Sequence, residues 1–282
     1  MAQIPFKAKP IENPVGNALG FIKVLDDVQK AIVALPGVPS EMKVMLETPF
    51  EYLHIKEQKG FVHLFKTYGK DEVKIDEILK DIDKKTLNAS PYGIDIYIWD
   101  SNDLFLKNKI KVIKERLGSL IYSEDETSME EVVGKLLKEK GLTLSTAESS
   151  TGGLIASRIV NVAGSSAYFM GSIIAYSNQV KENILKVSKE NIEKYGAVSE
   201  PVARQMAEGV KNLLKTDISL SDTGIAGPTG ATPDKPLGLH YIGMGIKNKT
   251  VVEKVIFKGH RNDVRLRVSQ HALNMLRLYL IK

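Results

Sequence analysis

Residues 142–160 read LTLSTAESSTGGLIASRIV, and this stretch decides the fold. Its first six residues form a short apolar run that predicts a strand, and residues 154–160 have the apolar spacing of a helix. The polar, glycine-bearing turn TAESSTGG at 146–153 connects them. In α/β sheets, ligands bind in the crevice at the carboxyl ends of strands. The stretch therefore predicts an α/β domain with a candidate ligand site at this turn.

The same alternation continues through residues 127–282. Helices are predicted for MEEVVGKLLKEKG (129–141), NQVKENIL (178–185), EPVARQMAEGVKNLL (200–214) and NDVRLRVSQHALNMLRLYL (262–280). Strands are predicted for GSIIAY (171–176), ISLSDTG (218–224), LHYIGMGI (239–246) and VVEKVIF (251–257). Strands that alternate with helices favour a sheet covered on both faces. We therefore expect one compact α/β domain here.

Two smaller segments precede this domain. Residues 53–126 contain two strand patterns, FVHLFKTY and GIDIYIWD, and two helix patterns, VKIDEILKDID and LFLKNKIKVIKERLG, which predict a small α+β domain. Residues 1–52 contain the apolar run AIVALPG (31–37), which predicts a buried strand, followed by the helix EMKVMLE (41–47). One strand and one helix cannot cover both faces of a sheet, so we expect residues 1–52 to be a fragment of a larger domain.

Composition excludes several classes of protein. The 282 residues are 43% hydrophobic and 26% charged, which is typical of a globular chain, and no apolar run is long enough to span a bilayer. Cysteine is absent, which excludes disulfides, thiolate nucleophiles and cysteine-ligated metal sites. The net charge of +5 arises from 39 basic and 34 acidic residues in mixed helical runs. We expect a cytoplasmic protein that binds neither membranes nor nucleic acid.

Three polar stretches supply candidate catalytic residues. The first, residues 146–153, places Ser149, Gly152 and Gly153 at a helix N-terminus, which suits an anion or an oxyanion. The second contains Ser166 and ends beyond the strand GSIIAY, which delivers Tyr176 and then Lys181. A serine becomes nucleophilic when a base takes its proton, and a partly buried lysine can be that base. The five histidines lie outside these stretches, so lysine is the better candidate.

The third stretch, TGIAGPTG at 223–230, follows the strand ISLSD. Its small residues let a ligand approach backbone amides, which suits a phosphate, and basic residues near the last helix add positive charge. The candidate binding residues are Thr223, Gly224, Ala226, Gly227 and Arg261, with Lys235 and Arg265 nearby. No cluster of metal-ligand spacing and no GxGxxG or GxxxxGKS motif occurs, so we expect neither a metal nor a cofactor.

These motifs together resemble the C-terminal domain of the CinA family, the nicotinamide-nucleotide amidohydrolases. The resemblance rests on TAESSTGG, GSSAYFMGSIIAYSNQVK, YGAVSEPVARQMAEG and TGIAGPTGATPDKPLG, in this order. It implies a three-layer α/β/α domain over 127–282, preceded by a small α+β middle domain. The upstream sequences NPVGNALGF and ALPGVPSEMK are similar to the end of the family's molybdopterin-binding-like first domain.

The resemblance implies hydrolysis of the carboxamide of nicotinamide mononucleotide to nicotinic acid mononucleotide and ammonia by a serine–lysine mechanism. It assigns Lys181 as the base and favours Ser166 as the nucleophile over Ser149, with Tyr176 completing the cluster. The alternatives are a non-catalytic nucleotide-binding protein and a hydrolase of related pyridine nucleotides or small amides. A homodimer is also expected.

This sequence departs from the family pattern at two places. Ser150 stands where family members usually carry cysteine in TAESCTGG. The chain also lacks the first domain's earlier strands and its GGxGPTxDD-type nucleotide loop. In full-length relatives that domain is associated with ADP-ribose pyrophosphatase activity, which we therefore do not expect here.

Overall fold

A computed structural model describes residues 4–25, 30–54, 60–247 and 249–282. The chain divides into two compact units, Met1–Lys59 and Gly60–Lys282. No helix among the described residues is both long enough and apolar enough to cross a membrane.

The first unit contains a three-stranded antiparallel sheet and two short helices. Its elements are β1 (Lys9–Ile11), β2 (Gly20–Leu25), β3 (Lys30–Ala34), α1 (Pro39–Met45) and α2 (Glu47–Tyr52), with strand order β1-β2-β3. Ile11, Ile22 and Met45 form a small core. The prediction of a buried strand at AIVALPG is wrong, because β3 lies at the sheet edge and its residues are exposed or half-buried.

The second unit begins with a four-stranded antiparallel sheet. Its elements are β4 (Phe61–Thr67), α3 (Glu72–Ile78), β5 (Lys85–Ser90), β6 (Gly93–Asp100), α4 (Asp103–Leu117) and β7 (Ile121–Ser123), with strand order β5-β6-β4-β7. Alternation in β6 buries Ile94, Ile96 and Ile98 against the two helices. The sequence predicted β4, β6 and both helices but missed β5 and β7, which lack an apolar alternation of useful length.

The remainder of the second unit is built around a five-stranded mixed sheet. Its elements are α5 (Met129–Lys140), β8 (Leu144–Glu148), α6 (Leu154–Val160), β9 (Phe169–Ile174), α7 (Asn178–Asn183), α8 (Lys189–Tyr195), α9 (Glu200–Leu214), β10 (Ile218–Gly224), β11 (Leu239–Ile246), β12 (Lys249–Ile256) and α10 (Arg261–Leu280). The strand order is β12-β11-β10-β8-β9; β10, β8 and β9 are parallel, and β11 and β12 are antiparallel.

Helices cover both faces of this sheet. On one face α5, α6 and α10 enclose the largest core, which includes Leu144, Leu220 and Ile242. On the other face α9 packs across β8, β10 and β11, and its core includes Val202, Met206 and Val210. The α/β fold class is therefore confirmed, and the layers are helix, sheet, helix.

Small residues allow α9 to lie close to the sheet. Ser219 Oγ and Ser221 Oγ donate to the carbonyls of Ala207 and Ala203 on α9. A Cβ at Gly243 would lie 2.9 Å from the Ala203 carbonyl oxygen, so only glycine fits there. The sequence missed α8, whose seven residues end at Tyr195 and are followed by Gly196 at the C-cap. The division into domains 1–52, 53–126 and 127–282 stays a prediction, and the boundary near residue 53 adjoins residues 55–59, which lie outside the described ranges.

Candidate active site

The turn after β8 is held by one buried carboxylate. Asp222, on the neighbouring strand β10, accepts the N–H groups of Ser149 (3.0 Å), Ser150 (2.9 Å) and Thr151 (3.3 Å). Parallel pairing of β8 with β10 brings these carboxyl ends together. The amides of Ser149, Ser150 and Thr151 are therefore already hydrogen-bonded, and the Ser149 side chain is half-buried.

Lys181 lies beside Ser149. Its Nζ is 3.2 Å from Ser149 Oγ, and it donates to the carbonyl of Ala175 at 2.6 Å and, more weakly, to that of Tyr176 at 3.5 Å. The parallel strands β8 and β9 end at the same edge, and Ser177 caps α7, whose first turn carries Lys181 inward. The lysine is only 2% exposed. Burial lowers the pKa of Lys181, and the nearby Asp222 partly opposes this shift.

Ser166 lies at the opposite edge of the sheet. It is exposed in a short turn, Ser165–Ala167, that precedes β9, whereas Lys181 follows β9. The six residues of β9 span roughly 20 Å at about 3.3 Å per residue. Within this chain the structure therefore brings Ser149, and not Ser166, to Lys181. Ser166 and Lys181 are close in sequence, but they lie at opposite ends of β9. The assignment of Ser166 as the nucleophile stays a prediction.

Tyr176 contributes its backbone rather than its phenol to the lysine. Its carbonyl lies near Lys181 Nζ, while its side chain is 67% exposed and its hydroxyl accepts a long hydrogen bond of 3.4 Å from Arg261. The predicted role of the phenol in the serine–lysine cluster is therefore not seen. Arg261 also donates to the Gly227 carbonyl at 2.7 Å, so it connects Tyr176 to the TGIAGP loop.

A basic cleft opens at this loop. Its volume is about 640 Å³, and it lies between the loop, Gly227 and Pro228 included, and the N-terminus of α10. Among the described residues, Lys258, His260 and Arg261 line it and no acidic residue does, although Asp263 lies in the first turn of α10. The first turn of α10 has no side-chain cap, so its N–H groups add positive potential. The cleft suits an anionic group, and its volume is typical of small-molecule sites.

Some of the remaining predicted binding residues line the cleft, and the others hold the loops around it in place. Ala226 and Gly227 line the cleft. Thr223 is buried, and its hydroxyl donates to the Ala197 carbonyl, while Gly224 leaves room for the buried His240 ring, 2.0 Å from where its Cβ would lie. Lys235 donates to the Tyr195 carbonyl. These residues shape the loops around the site.

Gly152 and Gly153 form the end of the turn TAESSTGG with φ values of +60° and +94°, which glycine tolerates best. Their N–H groups donate to no acceptor among the described residues. Arg265 fixes the turn from outside by donating to the Thr151 carbonyl at 2.6 Å. Two amide donors are thus free to face a ligand.

Sequence reasoning missed two buried acids, Asp222 and Glu148. Each lies near the carboxyl end of a buried strand, and each is fully buried. An acidic residue at that place, next to a glycine-bearing turn, is the signal that could have found them. Ser150, at the position of the family's cysteine, donates its hydroxyl to Asp222 at 2.5 Å, so this position does more than pack. No three metal-ligating side chains come together in the part of the chain that the structure describes.

Comparison with known proteins identifies the family. The sequence model described as the CinA C-terminal domain matches residues 126–280. The chain belongs to the CinA family. A CinA-like protein from Sulfurihydrogenibium sp. is 57% identical over 281 residues, which is 100% of this chain and 70% of that protein. A CinA-like protein from Dictyoglomus thermophilum is 41% identical over 284 residues, 96% of this chain and 69% of that protein.

A solved structure of a CinA-family protein is also similar. The competence/damage inducible protein CihA from Agrobacterium tumefaciens aligns with a TM-score of 0.53 at 34% identity. The alignment covers 55% of this chain and 94% of that chain. The CinA resemblance predicted from the sequence motifs is therefore confirmed.

Proposed function

We propose that this CinA-family chain hydrolyses the carboxamide of nicotinamide mononucleotide, with Ser149 as nucleophile and Lys181 as base. The observation that carries the proposal is the 3.2 Å contact between Ser149 Oγ and the Nζ of a lysine that is 2% exposed. A buried amine is more easily neutral, and only a neutral amine can accept the serine proton.

The contacts of Lys181 allow a neutral amine to accept the serine proton. In that state its two N–H bonds donate to the carbonyls of Ala175 and Tyr176, and its lone pair accepts from the Ser149 hydroxyl. A charged ammonium would instead donate to all three oxygens, so the burial that lowers the pKa of Lys181, rather than the contacts, favours the neutral form. In this arrangement Ser149 donates its proton to Lys181 as its oxygen attacks the amide carbon.

The reaction then has two halves. In the first, the free N–H groups of Gly152 and Gly153 stabilise the oxyanion, Lys181 returns the proton to the leaving nitrogen, and ammonia departs from an acyl-serine. In the second, Lys181 takes a proton from water, which attacks the ester carbon and releases nicotinic acid mononucleotide. The proton then returns to Ser149, so one water is consumed and one ammonia is formed.

The nucleotide phosphate is assigned to the basic cleft. Lys258, Arg261 and the N-terminus of α10 supply positive charge there, and Arg261 bridges the cleft to Tyr176 near Lys181. A ligand that places its phosphate in this cleft and its carboxamide at Ser149 uses both groups of residues. Both the cleft's positive charge and the family membership favour a nucleotide over a neutral amide.

Ammonia release from nicotinamide mononucleotide tests the proposal. We expect Ser149→Ala to lower kcat at least about 100-fold, because it removes the attacking oxygen, while the matched control Ser166→Ala retains the wild-type rate. Equal rates for Ser149→Ala and wild type would refute the nucleophile. Binding of the mononucleotide without ammonia from the wild-type chain would instead support the non-catalytic alternative.

A further inference from the structure

Two buried acids meet at a single hydroxyl beside the nucleophile turn. Thr151 Oγ1 lies 2.7 Å from Glu148 Oε2 and 2.5 Å from Asp222 Oδ1. Glu148 and Asp222 are both 0% exposed, and so is Thr151. Bulk water therefore does not reach these oxygens.

The number of protons decides what this geometry requires. A threonine hydroxyl carries one hydrogen, so it can donate to only one of the two carboxyl groups. The other oxygen–oxygen contact is short enough for a hydrogen bond and needs a second proton. One of the two carboxyl groups must carry this second proton. If both acids were ionised, an unprotonated carboxylate oxygen would lie against a lone pair of the hydroxyl.

The hydrogen-bond partners indicate which acid keeps the proton. Asp222 accepts three backbone N–H groups and the Ser150 hydroxyl in addition to its contact with Thr151, and such donors favour a carboxylate. Glu148 accepts the N–H groups of Ile155 and Ala156 at the start of α6. Burial is the largest cause of the raised pKa of Glu148, and the charge of Asp222 raises it further, while the N–H groups of Ile155 and Ala156 oppose the shift.

The surrounding titratable groups agree with this assignment. The charge of Asp222 raises the pKa of Lys181 on α7 and of His240 on β11, although burial lowers both more strongly, and Arg265 on α10 donates to the Thr151 carbonyl. The hydroxyls of Thr146 and Ser172 donate to Glu148 Oε1 at 3.2 and 3.5 Å, which makes them weaker donors than the Ser150 hydroxyl at 2.5 Å from Asp222. None of these neighbours places a full positive charge against Glu148.

We propose that Glu148 is a neutral acid that donates to Thr151 Oγ1, that Thr151 donates to Asp222, and that this shared proton locks the turn that presents Ser149. Both acids are thus positioning residues, since they act through the turn. The effect on catalysis rests on the proposed hydrolase function, whereas the presence of a proton on Glu148 does not depend on that function. Loss of the proton would place two like charges around one hydroxyl and loosen the turn.

The pH dependence of unfolding provides the first test. Above the ordinary pKa of glutamic acid, the folded chain keeps the Glu148 proton and the unfolded chain does not, so stability falls as pH rises towards the folded pKa. Glu148→Gln cannot ionise. We expect the folding equilibrium constant of Glu148→Gln relative to wild type to rise by up to about tenfold per pH unit between the ordinary pKa of glutamic acid and the raised pKa of folded Glu148. A ratio that does not change with pH would overturn the proposal.

Infrared spectroscopy provides the second test and needs no substrate. At neutral pH the wild-type spectrum should contain the C=O stretch of a protonated carboxylic acid, which Glu148→Gln removes. The matched control Glu253→Gln should keep that band, because Glu253 bonds to His271 and its pKa is lowered. If Glu148→Gln does not fold, the wild-type band alone decides, and its absence at neutral pH would overturn the proposal.

Thr151 variants test the bridge itself. Thr151→Val removes the hydroxyl at nearly constant shape and should shift the acid band, whereas Thr151→Ser keeps the hydroxyl and should leave it in place. An unshifted band in Thr151→Val would show that Thr151 does not carry the bond. An acid band in a chain that releases no ammonia would refute the proposed function alone, and ammonia release without the band would refute the shared proton alone.

Discussion

At the scale of single residues, Lys181 has exchanged hydration for two backbone carbonyls and one serine hydroxyl. Burial is the largest cause of the lowered pKa of Lys181. Its folded pKa lies below its unfolded pKa, so the unfolded chain binds more protons between these two values. In that window its contribution makes the stability of the fold rise with pH.

The same shift predicts the pH dependence of activity. We expect kcat/KM for ammonia release to rise with pH through one ionisation that lies below the ordinary pKa of lysine, because only the neutral amine accepts the Ser149 proton. A pH–rate profile with the mononucleotide checks this. A rate that falls across that range would contradict a neutral base.

Lys181→Met separates catalysis from folding. The apolar side chain removes the base without leaving a large cavity, so we expect ammonia release to fall at least about 100-fold. A buried amine costs stability, so the variant's free energy of unfolding at neutral pH should equal or exceed that of wild type. Lys189→Met, at an exposed position on α8, serves as the control and should be fully active. Full activity of Lys181→Met would exclude it as the base.

At the scale of elements, the position of α7 depends on how closely the segment after it approaches α9. A Cβ at Gly209 of α9 would lie 2.0 Å from the Leu185 carbonyl oxygen and 3.0 Å from the Leu185 Cα. The amide of Val187 in this segment donates to the Lys181 carbonyl, so a shift at Leu185 is transmitted to the lysine. Glycine at 209 therefore helps to place the base.

We expect Gly209→Ala to destabilise the fold by about 1–3 kcal/mol, because backbone atoms must move apart. It should also lower kcat by moving Lys181 away from Ser149. Urea denaturation and the ammonia assay check the two effects. Asn212→Ala, at an exposed position on the same helix, should change neither. Wild-type stability in Gly209→Ala would show that the close approach is unimportant.

At the scale of the second unit, α10 joins the five-stranded sheet to the four-stranded one. Arg277 is 3% exposed and donates to the carbonyls of Ser119 and Ile121, which flank the start of β7. Gln270 on the same helix donates to the Tyr92 carbonyl at 2.7 Å. These contacts indicate that residues 60–282 unfold together.

Arg277→Met should weaken this coupling. Removing charged donors from two carbonyls costs about 1.5–3 kcal/mol. Trp99, the one tryptophan in the sequence, lies on β6 and reports on the four-stranded sheet. We expect its fluorescence transition in urea to precede the loss of ammonia-releasing activity in the variant, and to coincide with it in wild type and in the control Lys111→Met, at an exposed position on α4. Coincident transitions in Arg277→Met would contradict the coupling.

The sequence by itself determined most of the elements of residues 127–282. Periodicity predicted α6, α9, β10 and β11 at their observed bounds. Their apolar patterns indicate the type of element, and flanking glycines indicate where it begins or ends. The motif TAESSTGG and the position of Lys181 also indicated a serine–lysine site. Shorter elements with weak patterns, such as β5, β7 and α8, were missed.

Only the tertiary structure decided which serine meets Lys181. Ser149 lies 32 positions from Lys181 and Ser166 only 15, yet parallel strands bring residues together by sheet edge rather than by sequence separation. The same pairing brought Asp222 to the nucleophile turn and to Glu148, over more than seventy residues of chain. Local sequence patterns show which segments form helices or strands and which side chains are buried. Strand pairing determines which of the buried polar groups come close enough to exchange hydrogen bonds and protons.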